Sequence, residues 1–343
     1  MIGIGIVGAG MVAETHIKAL RDLASKARIV GVHARRADVL DTFCANHGVP
    51  AAHDLDVLLS SPDVQVVLVL TPPNARAELV RKAVAAGKHV LMEKPIERAA
   101  EAAAEIVDMV EAAGLTLGIV FQHRFRIASL KLAELCAGGT LGALCAAQIA
   151  VPWWRPQSYY DVEGRGTYAR DGGGVLISQA IHTLDLMQMF TGPVESVQAI
   201  AGTTGLHRME AEDFVAGGLI FSSGALGSLI ATTASFPGEA ESIVLDFERA
   251  STRLQSGTLV VQHHDGRKES FGQPGGTGGG ADPMAFTHDW HRSAIEDFID
   301  AVAAGRLPSV TGRAALATHR LINALVLSAR EGRRVSLSEI GGA

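Results

Sequence analysis

The strongest constraint on this chain lies in its first thirteen residues. An apolar run, Ile2–Val7, passes directly into Gly8-Ala9-Gly10-Met11-Val12-Ala13, and apolar residues then recur at helical spacing as Ala13, Ile17, Leu20 and Ala24. The turn fits Gly-x-Gly-x-x-Ala between a strand and a helix. Gly8 permits the tight turn, Gly10 lets the backbone approach a pyrophosphate, and Ala13 is small enough for helix–strand packing. The helix N-terminus then faces the phosphates. This reading predicts a dinucleotide site.

The alternation continues. Arg28–His33 reads as a second strand, Asp38–His47 as a helix stopping at Gly48, and Val64–Leu70 as a strand buried on both faces. Thr71-Pro72-Pro73-Asn74 breaks that strand and starts a helix that stops near Gly87. His89–Met92 is a short strand. A helix from about Arg98 to Ala113 ends at Gly114, and Leu115–Phe121 is one more strand. Strands alternating with helices predict a doubly wound parallel sheet. After about Gln122 the pattern changes. A helix at Ser129–Ala137 and a strand at Leu144–Val151 come first, then a helix at Ile181–Phe190. From Val194 to Val261 the period becomes two, which predicts an antiparallel sheet. Two helices, about Trp290–Ala304 and Arg313–Arg330, come last, with Gly305 capping the first. The expected class is α/β: an N-terminal Rossmann domain over residues 1–122, then a substrate-binding and oligomerisation domain over residues 123–343. That second domain is expected to be α+β with an open, mainly antiparallel sheet, its C-terminal helix packing back on the first domain. The Gly-rich stretch Gly272–Gly280 reads as a mobile surface loop or a flap near the substrate.

With 343 residues and 48% hydrophobic residues, the chain can bury large cores without disulfides. The balance of 30 basic and 36 acidic residues gives a net charge of −6, against broad nucleic-acid binding. No apolar run approaches the ~20 residues of a membrane helix. Ile2–Val7 has no basic region before it, so no secretion signal is expected. Cys44, Cys136 and Cys145 form no framework, which predicts reduced, buried thiols in a cytoplasmic protein.

The second strand ends Val32-His33-Ala34-Arg35-Arg36, with no acid before Asp38. A carboxylate there would select NAD(H) through the ribose hydroxyl. Two arginines suit a 2′-phosphate instead, so NADP(H) is expected over NAD(H). The strand Val90-Leu91-Met92 runs into Glu93-Lys94-Pro95, at the ligand end of a parallel sheet. A lysine there can give a proton to a carbonyl oxygen or take one from a hydroxyl.

These motifs together resemble the glucose–fructose oxidoreductase / inositol dehydrogenase / rhizopine-catabolism (Gfo/Idh/MocA) family. The resemblance rests on the Gly8 turn, the Thr71–Asn74 turn, AGKHVLMEKP at Ala86–Pro95, GGGVLISQAIHTLDL at Gly172–Leu186 and HRSAIEDFIDAV at His291–Val302. It implies a Rossmann domain, a second domain with an open antiparallel sheet, Lys94 in the active site beside a cis Lys-Pro bond, and His182 as partner acid/base. It assigns cofactor contacts to Gly8, Gly10, Met11, Val12, Ala34, Arg35, Arg36, Thr71, Pro72, Asn74, Glu93 and Lys94. Many members carry Asp four residues before that histidine, and a branch acting on sugar nucleotides has Asn. Here the residue is Ser178, in a frame that keeps Gln179 and His182. A serine can hydrogen-bond a hydroxyl but cannot serve as a carboxylate base, so proton transfer is expected to fall on His182 and Lys94. Asp185 either orients the helix or the substrate, or forms a salt bridge.

The segment Trp153-Trp154-Arg155-Pro156-Gln157-Ser158-Tyr159-Tyr160 and Arg165-Gly166-Thr167 are also similar to that sugar branch. Aromatic faces stack on sugar C–H surfaces, and arginines pair with carboxylates or phosphates. Arg124, Trp154, Arg155, Ser178, Gln179 and His182 are the expected substrate contacts, and no metal site is expected. The reading is hydride transfer between nicotinamide and a secondary alcohol or ketone of a sugar, cyclitol or sugar derivative. The alternatives are a dihydrodiol dehydrogenase and a non-catalytic NADP(H)-binding redox sensor. Exposed sheet faces in such second domains predict a homodimer or homotetramer.

Overall fold

The computed structural model describes residues 1–276, 279–280 and 286–341. The chain divides into two units. The first holds Met1–Gln122 and His288–Leu316, and the second holds the described residues from His123 to Thr287 and from Ala317 onward.

The first unit is built on five parallel strands: β1 (Ile2–Val7), β2 (Ala27–His33), β3 (Val66–Val69), β4 (His89–Glu93) and β5 (Leu117–Val120), in the order β2-β1-β3-β4-β5. Every residue of β3 and β5 is buried, as two-sided cover by helices demands. The helices Ala13–Asp22, Ala37–His47, Arg76–Ala85 and Ala100–Ala112 follow the strands as the period-3.6 segments predicted. The order reverses between β1 and β3. In such sheets the crevice at the carboxyl ends of the strands, at the reversal point, is where ligands bind. Gly8 leaves the end of β1 there with φ +117°. A Cβ on it would meet the Leu70 carbonyl carbon at 2.9 Å, so both backbone conformation and space call for glycine.

The helix Asp289–Ala304 completes this unit. Its Ile295, Phe298 and Ile299 join the core of Ile4, Ile6, Leu68, Leu91 and Val120. Phe298 fills the space left by the bare backbone of Gly118 in β5.

The second unit carries nine strands: β6 (Leu144–Pro152), β7 (Val194–Gly202), β8 (Phe214–Phe221), β9 (Leu226–Thr232), β10 (Ser242–Phe247), β11 (Ala250–Gln255), β12 (Thr258–His263), β13 (Lys268–Gly272) and β14 (Val335–Ser336). Their order is β13-β12-β11-β10-β6-β9-β8-β7-β14, and every pairing but β6–β9 is antiparallel. Alternate residues such as Ile243, Leu245 and Phe247 face a core closed by the helix Ile181–Thr191, which packs on β6 and β10. The opposite face carries one apolar row beside a polar row of Gln198, Ser228 and Gln148. Ile200, Ala216, Ile230 and Ala150 stand side by side across β7, β8, β9 and β6. Ile200 and Ile230 are exposed.

Of the cysteines expected to be buried, only Cys44 is; Cys136 is half-buried and Cys145 is exposed. Cys145 sits one residue ahead of the point where β9 begins to pair with β6, at Ala146, so nothing covers it. Within the Gly272–Gly280 stretch, Thr277 and Gly278 lie outside the described residues. Its end is tied down, because the Gly279 carbonyl accepts from Trp154 N at 2.9 Å. No described helix is long and apolar enough to cross a membrane.

Phe298 is 1% exposed and packs directly over the bare backbone of Gly118. Phe298→Ala is expected to cost about 3–5 kcal/mol, read as a lowered denaturation midpoint with the unfolding slope unchanged. A shift below about 1 kcal/mol would show that the helix does not anchor this core.

Candidate active site

The nucleotide half of the site is assembled from turns at the carboxyl ends of the strands. Gly8 N donates to the His33 carbonyl at 2.9 Å, and Leu70 N donates to the Val7 carbonyl at 2.8 Å, so the ends of β1, β2 and β3 are bound together. Gly10 is exposed, and a Cβ placed on it would meet nothing within 4 Å. The helix at Ala13 has no side-chain cap. Open space over a bare backbone and an uncapped helix N-terminus are what a pyrophosphate requires. The chain's own residues therefore fit a dinucleotide. Met11 is exposed and Val12 half-buried beside this turn. Ala34 is half-buried, and Arg35 and Arg36 are exposed at the end of β2. Arg36 forks onto Asp38, Nη2–Oδ2 2.5 Å and Nε–Oδ1 3.2 Å.

The turns after β3 and β4 share a buried cation that the sequence reading did not identify. Arg76 is 3% exposed. Its Nε and Nη2 donate to the Thr71 carbonyl at 2.8 and 2.6 Å, and its Nη1 donates to the carbonyls of Glu93 and Pro95. Burial pulls its pKa down to about 10, against the charges of Glu93 and Glu97, so it stays protonated at neutral pH. The carbonyls of Glu93 and Pro95 flank Lys94, whose bond to Pro95 is cis. One guanidinium thus fixes the backbone on either side of Lys94 and joins it to the Thr71-Pro72-Pro73-Asn74 turn.

Glu93 points into the unit. It accepts from His16 Nε2 at 2.8 Å, and His291 Nε2 lies 3.8 Å away, with the two imidazoles edge to face. Burial alone would raise the Glu93 pKa. The His16 hydrogen bond, with the charges of His16, His291 and Lys94, instead holds it at about 2. Burial, then the neighbouring His16, pushes His291 down to about 3.

In the second unit, His182 lies on the buried helix Ile181–Thr191, preceded by a π-helical turn at Leu176–Ala180. Glu212 holds the start of this segment. Its carboxylate accepts from Gly174 N and Leu176 N, each at 3.2 Å, and its carbonyl accepts from Val175 N at 2.8 Å. A Cβ on Gly174 would lie 1.8 Å from the Glu212 carbonyl oxygen, which accounts for the glycine at this position. His182 is 7% exposed and stacks on His123, with ring centroids 4.7 Å apart and planes at 26°. Behind His123 stands Glu241, whose Oε1 accepts from Arg126 Nη1 at 2.8 Å.

Several expected substrate contacts face inward. Arg124 gives both arms of its fork to Asp185, at 2.6 and 2.7 Å. Asp185 is therefore a salt-bridge partner that fixes the helix. Arg155 is 2% exposed, donates to the carbonyls of Trp154 and Gly280, and lies over the rings of Trp153 and Tyr159. Its carbonyl lies 2.8 Å from Nε2 of His207, whose Nδ1 is 2.7 Å from buried Asp213. Trp154 is half-buried, edge to face with Phe236. Ser178 is half-buried, and Gln179 is buried with its amide on the Tyr159 hydroxyl at 3.4 Å. The structure therefore brings Gln179, Tyr159 and Arg155 together, one turn before His182, and leads Arg124 away to Asp185.

Comparison with known proteins agrees with this architecture. Residues 2–121 match the oxidoreductase family with an NAD-binding Rossmann fold, and residues 129–253 match the GFO/IDH/MocA C-terminal domain. The chain belongs to the Gfo/Idh/MocA family. It is 32% identical to the WlbA dehydrogenase of Chromobacterium violaceum, solved with NADH and UDP-GlcNAcA; the TM-score is 0.84, over 98% of this chain and 95% of that one. It is 30% identical to a 1,5-anhydro-D-fructose reductase of Ensifer adhaerens over 65% of this chain and 66% of that protein. It is 27% identical to D-xylose 1-dehydrogenase (NADP(+)) 2 of Haloferax volcanii, over 97% and 99%. The chain spans between 53% and 66% of the length of some curated relatives, the reductase among them.

The Glu93–His291 cluster makes the first unit acid-sensitive. His291 is held neutral, so its contribution is complete above its ordinary value of 6.5 and is lost as pH falls toward 3. Glu93 adds a loss from 4.5 down to about 2. His291→Gln is expected to remove about 2–3 kcal/mol of the stability lost between pH 7 and pH 4, measured by urea unfolding at each pH. Parallel pH profiles for the variant and the natural protein would contradict this assignment.

Proposed function

We propose that this protein is an NAD(P)-dependent oxidoreductase acting on a secondary alcohol or ketone of a sugar, cyclitol or sugar derivative. The observation that carries the reading is the placement of Lys94. It follows the carboxyl end of β4, on the edge of the parallel sheet where Gly8 and Thr71 also emerge, and Arg76 fixes the carbonyls on both sides of it. When bound, the nicotinamide accepts or returns a hydride. Lys94 and His182 are assigned to the reacting oxygen. In the oxidative direction its proton passes to one of them as the C–H hydride leaves, and in the reductive direction the same group returns it. Ser178 supplies a hydrogen bond to a substrate hydroxyl and no carboxylate.

The cofactor contacts are assigned to the turns at Gly8–Val12, Thr71–Asn74 and Glu93–Lys94. NADP(H) is the preferred form in this proposal. Arg35 and Arg36 are exposed at the end of β2, and the Arg36–Asp38 pair is solvent-screened, so a 2′-phosphate can take the guanidinium from Asp38. The naming of the Haloferax relative supports the same choice, while the WlbA structure holds NADH. The free cysteines fit the proposed cytoplasmic location. We place a second copy on the row of Ile200, Ala216, Ile230 and Ala150, whose two isoleucines are exposed, in a homodimer or homotetramer.

The test is nicotinamide reduction followed by absorbance with NADP⁺ and NAD⁺ in parallel. The panel holds free sugars, cyclitols, sugar nucleotides and cyclic diols, with Lys94→Ala as control. Turnover of a sugar or cyclitol, faster with NADP⁺ and reduced at least ~1000-fold in Lys94→Ala, is the expected result. Turnover of cyclic diols alone would move the enzyme to the dihydrodiol class. Nicotinamide binding with no turnover of any class would favour a redox sensor.

A further inference from the structure

Two unmet hydrogen-bonding needs meet at Tyr159. Arg165 lies over the ring, its guanidinium carbon 4.1 Å from the centroid, and is half-buried. Among the described residues its side chain makes no hydrogen bond or ion pair. The aromatic face holds the cation, but its in-plane N–H donors have no acceptor. At the rim of the same ring, Gln179 donates its amide to the Tyr159 hydroxyl at 3.4 Å. Gln179 is 4% exposed, and its Oε1 is buried with no donor. A buried acceptor left unmade is costly, so it calls for a ligand that donates. Arg155, over the same ring at 5.5 Å, adds positive charge to this corner. Gln179 stands three residues before His182 on the continuous helical segment Leu176–Thr191.

A single molecule meets both needs if it carries a hydroxyl beside an oxyanion. A hydroxyl donates to Gln179 Oε1, and a carboxylate or phosphate takes the fork of Arg165. We infer that Arg165, Tyr159 and Gln179 form a subsite for the anionic group of an acidic sugar, a sugar acid or a sugar phosphate. The inference rests on the sugar oxidoreductase reading and narrows it, since a neutral cyclitol or cyclic diol lacks the anion.

The test is calorimetric binding to the NADP(H)-loaded protein, with D-glucuronate, D-glucose 6-phosphate and D-glucose as probes. At least one anionic probe is expected to bind about tenfold or more tighter than D-glucose. Glucuronate in first place identifies a sugar acid, and glucose 6-phosphate a sugar phosphate. Arg165→Met is expected to abolish the preference with D-glucose binding unchanged, and Arg165→Lys to retain part of it. NADPH affinity serves as the control for intact folding. Equal affinity for all three probes, no binding of any, or a preference that survives Arg165→Met would overturn the subsite. Turnover confined to neutral sugars would also overturn it while leaving the oxidoreductase reading intact. Arg165-dependent binding without turnover on any sugar would do the reverse.

Discussion

A buried guanidinium is costly unless every donor it turns inward finds an acceptor. Arg76 meets that condition with the carbonyls of Thr71, Glu93 and Pro95. Those three atoms belong to two different strand-to-helix turns, so the turns cannot shift independently without leaving a buried charge unsatisfied. The Thr71 turn abuts the Gly8 turn through the Leu70–Val7 backbone hydrogen bond. The phosphate-facing turn, the Thr71 turn and the Lys94 turn thus form one rigid rim on the parallel sheet. Beneath it the Glu93 carboxylate is kept ionised by His16, and the helix that begins at Asp289 brings His291 against it.

The second unit solves the same problem with buried acids. Glu212 binds the N–H groups that open the His182 segment, and Glu241 binds Arg126 behind His123. Asp185 takes the fork of Arg124 one turn past His182. The imidazole therefore sits on a helix held at its start and its middle, with a stacked ring beside it. The acid/base role proposed for His182 needs that fixed geometry more than it needs exposure.

Much of this was legible in the residues, for physical reasons that differ by region. β3 is apolar at every position because it is buried on both faces, and no amphipathic element reads that way. Gly8 is legible because only glycine meets both the turn and the contact with Leu70. Arg76 was not legible. In the first turn of a helix an arginine reads as a solvated side chain, and its burial comes only from carbonyls that converge from separate turns. Arg124 and Arg155 stand beside aromatic residues and Arg165 between two glycines, and nothing in those contexts says which cation turns inward. Only the fold shows that the first two bond inward and that the third stacks with no acid partner among the described residues. An amphipathic period at Trp290–Ala304 likewise announces a face to be covered but not that Gly118 and Phe298 cover it. Cys145 shows the opposite error, an apolar context that lies at an uncovered strand end.

The central claim is that the rim around Gly10 receives the pyrophosphate of a nicotinamide dinucleotide. Gly10→Val tests it most directly, because a Cβ at this position enters open space, with nothing within 4 Å. Titration of both proteins with NADPH, followed by nucleotide fluorescence, should show binding to the natural chain. It should be weakened ~100-fold or more in the variant, with the melting temperature unchanged. Equal affinity in the two proteins would contradict the account.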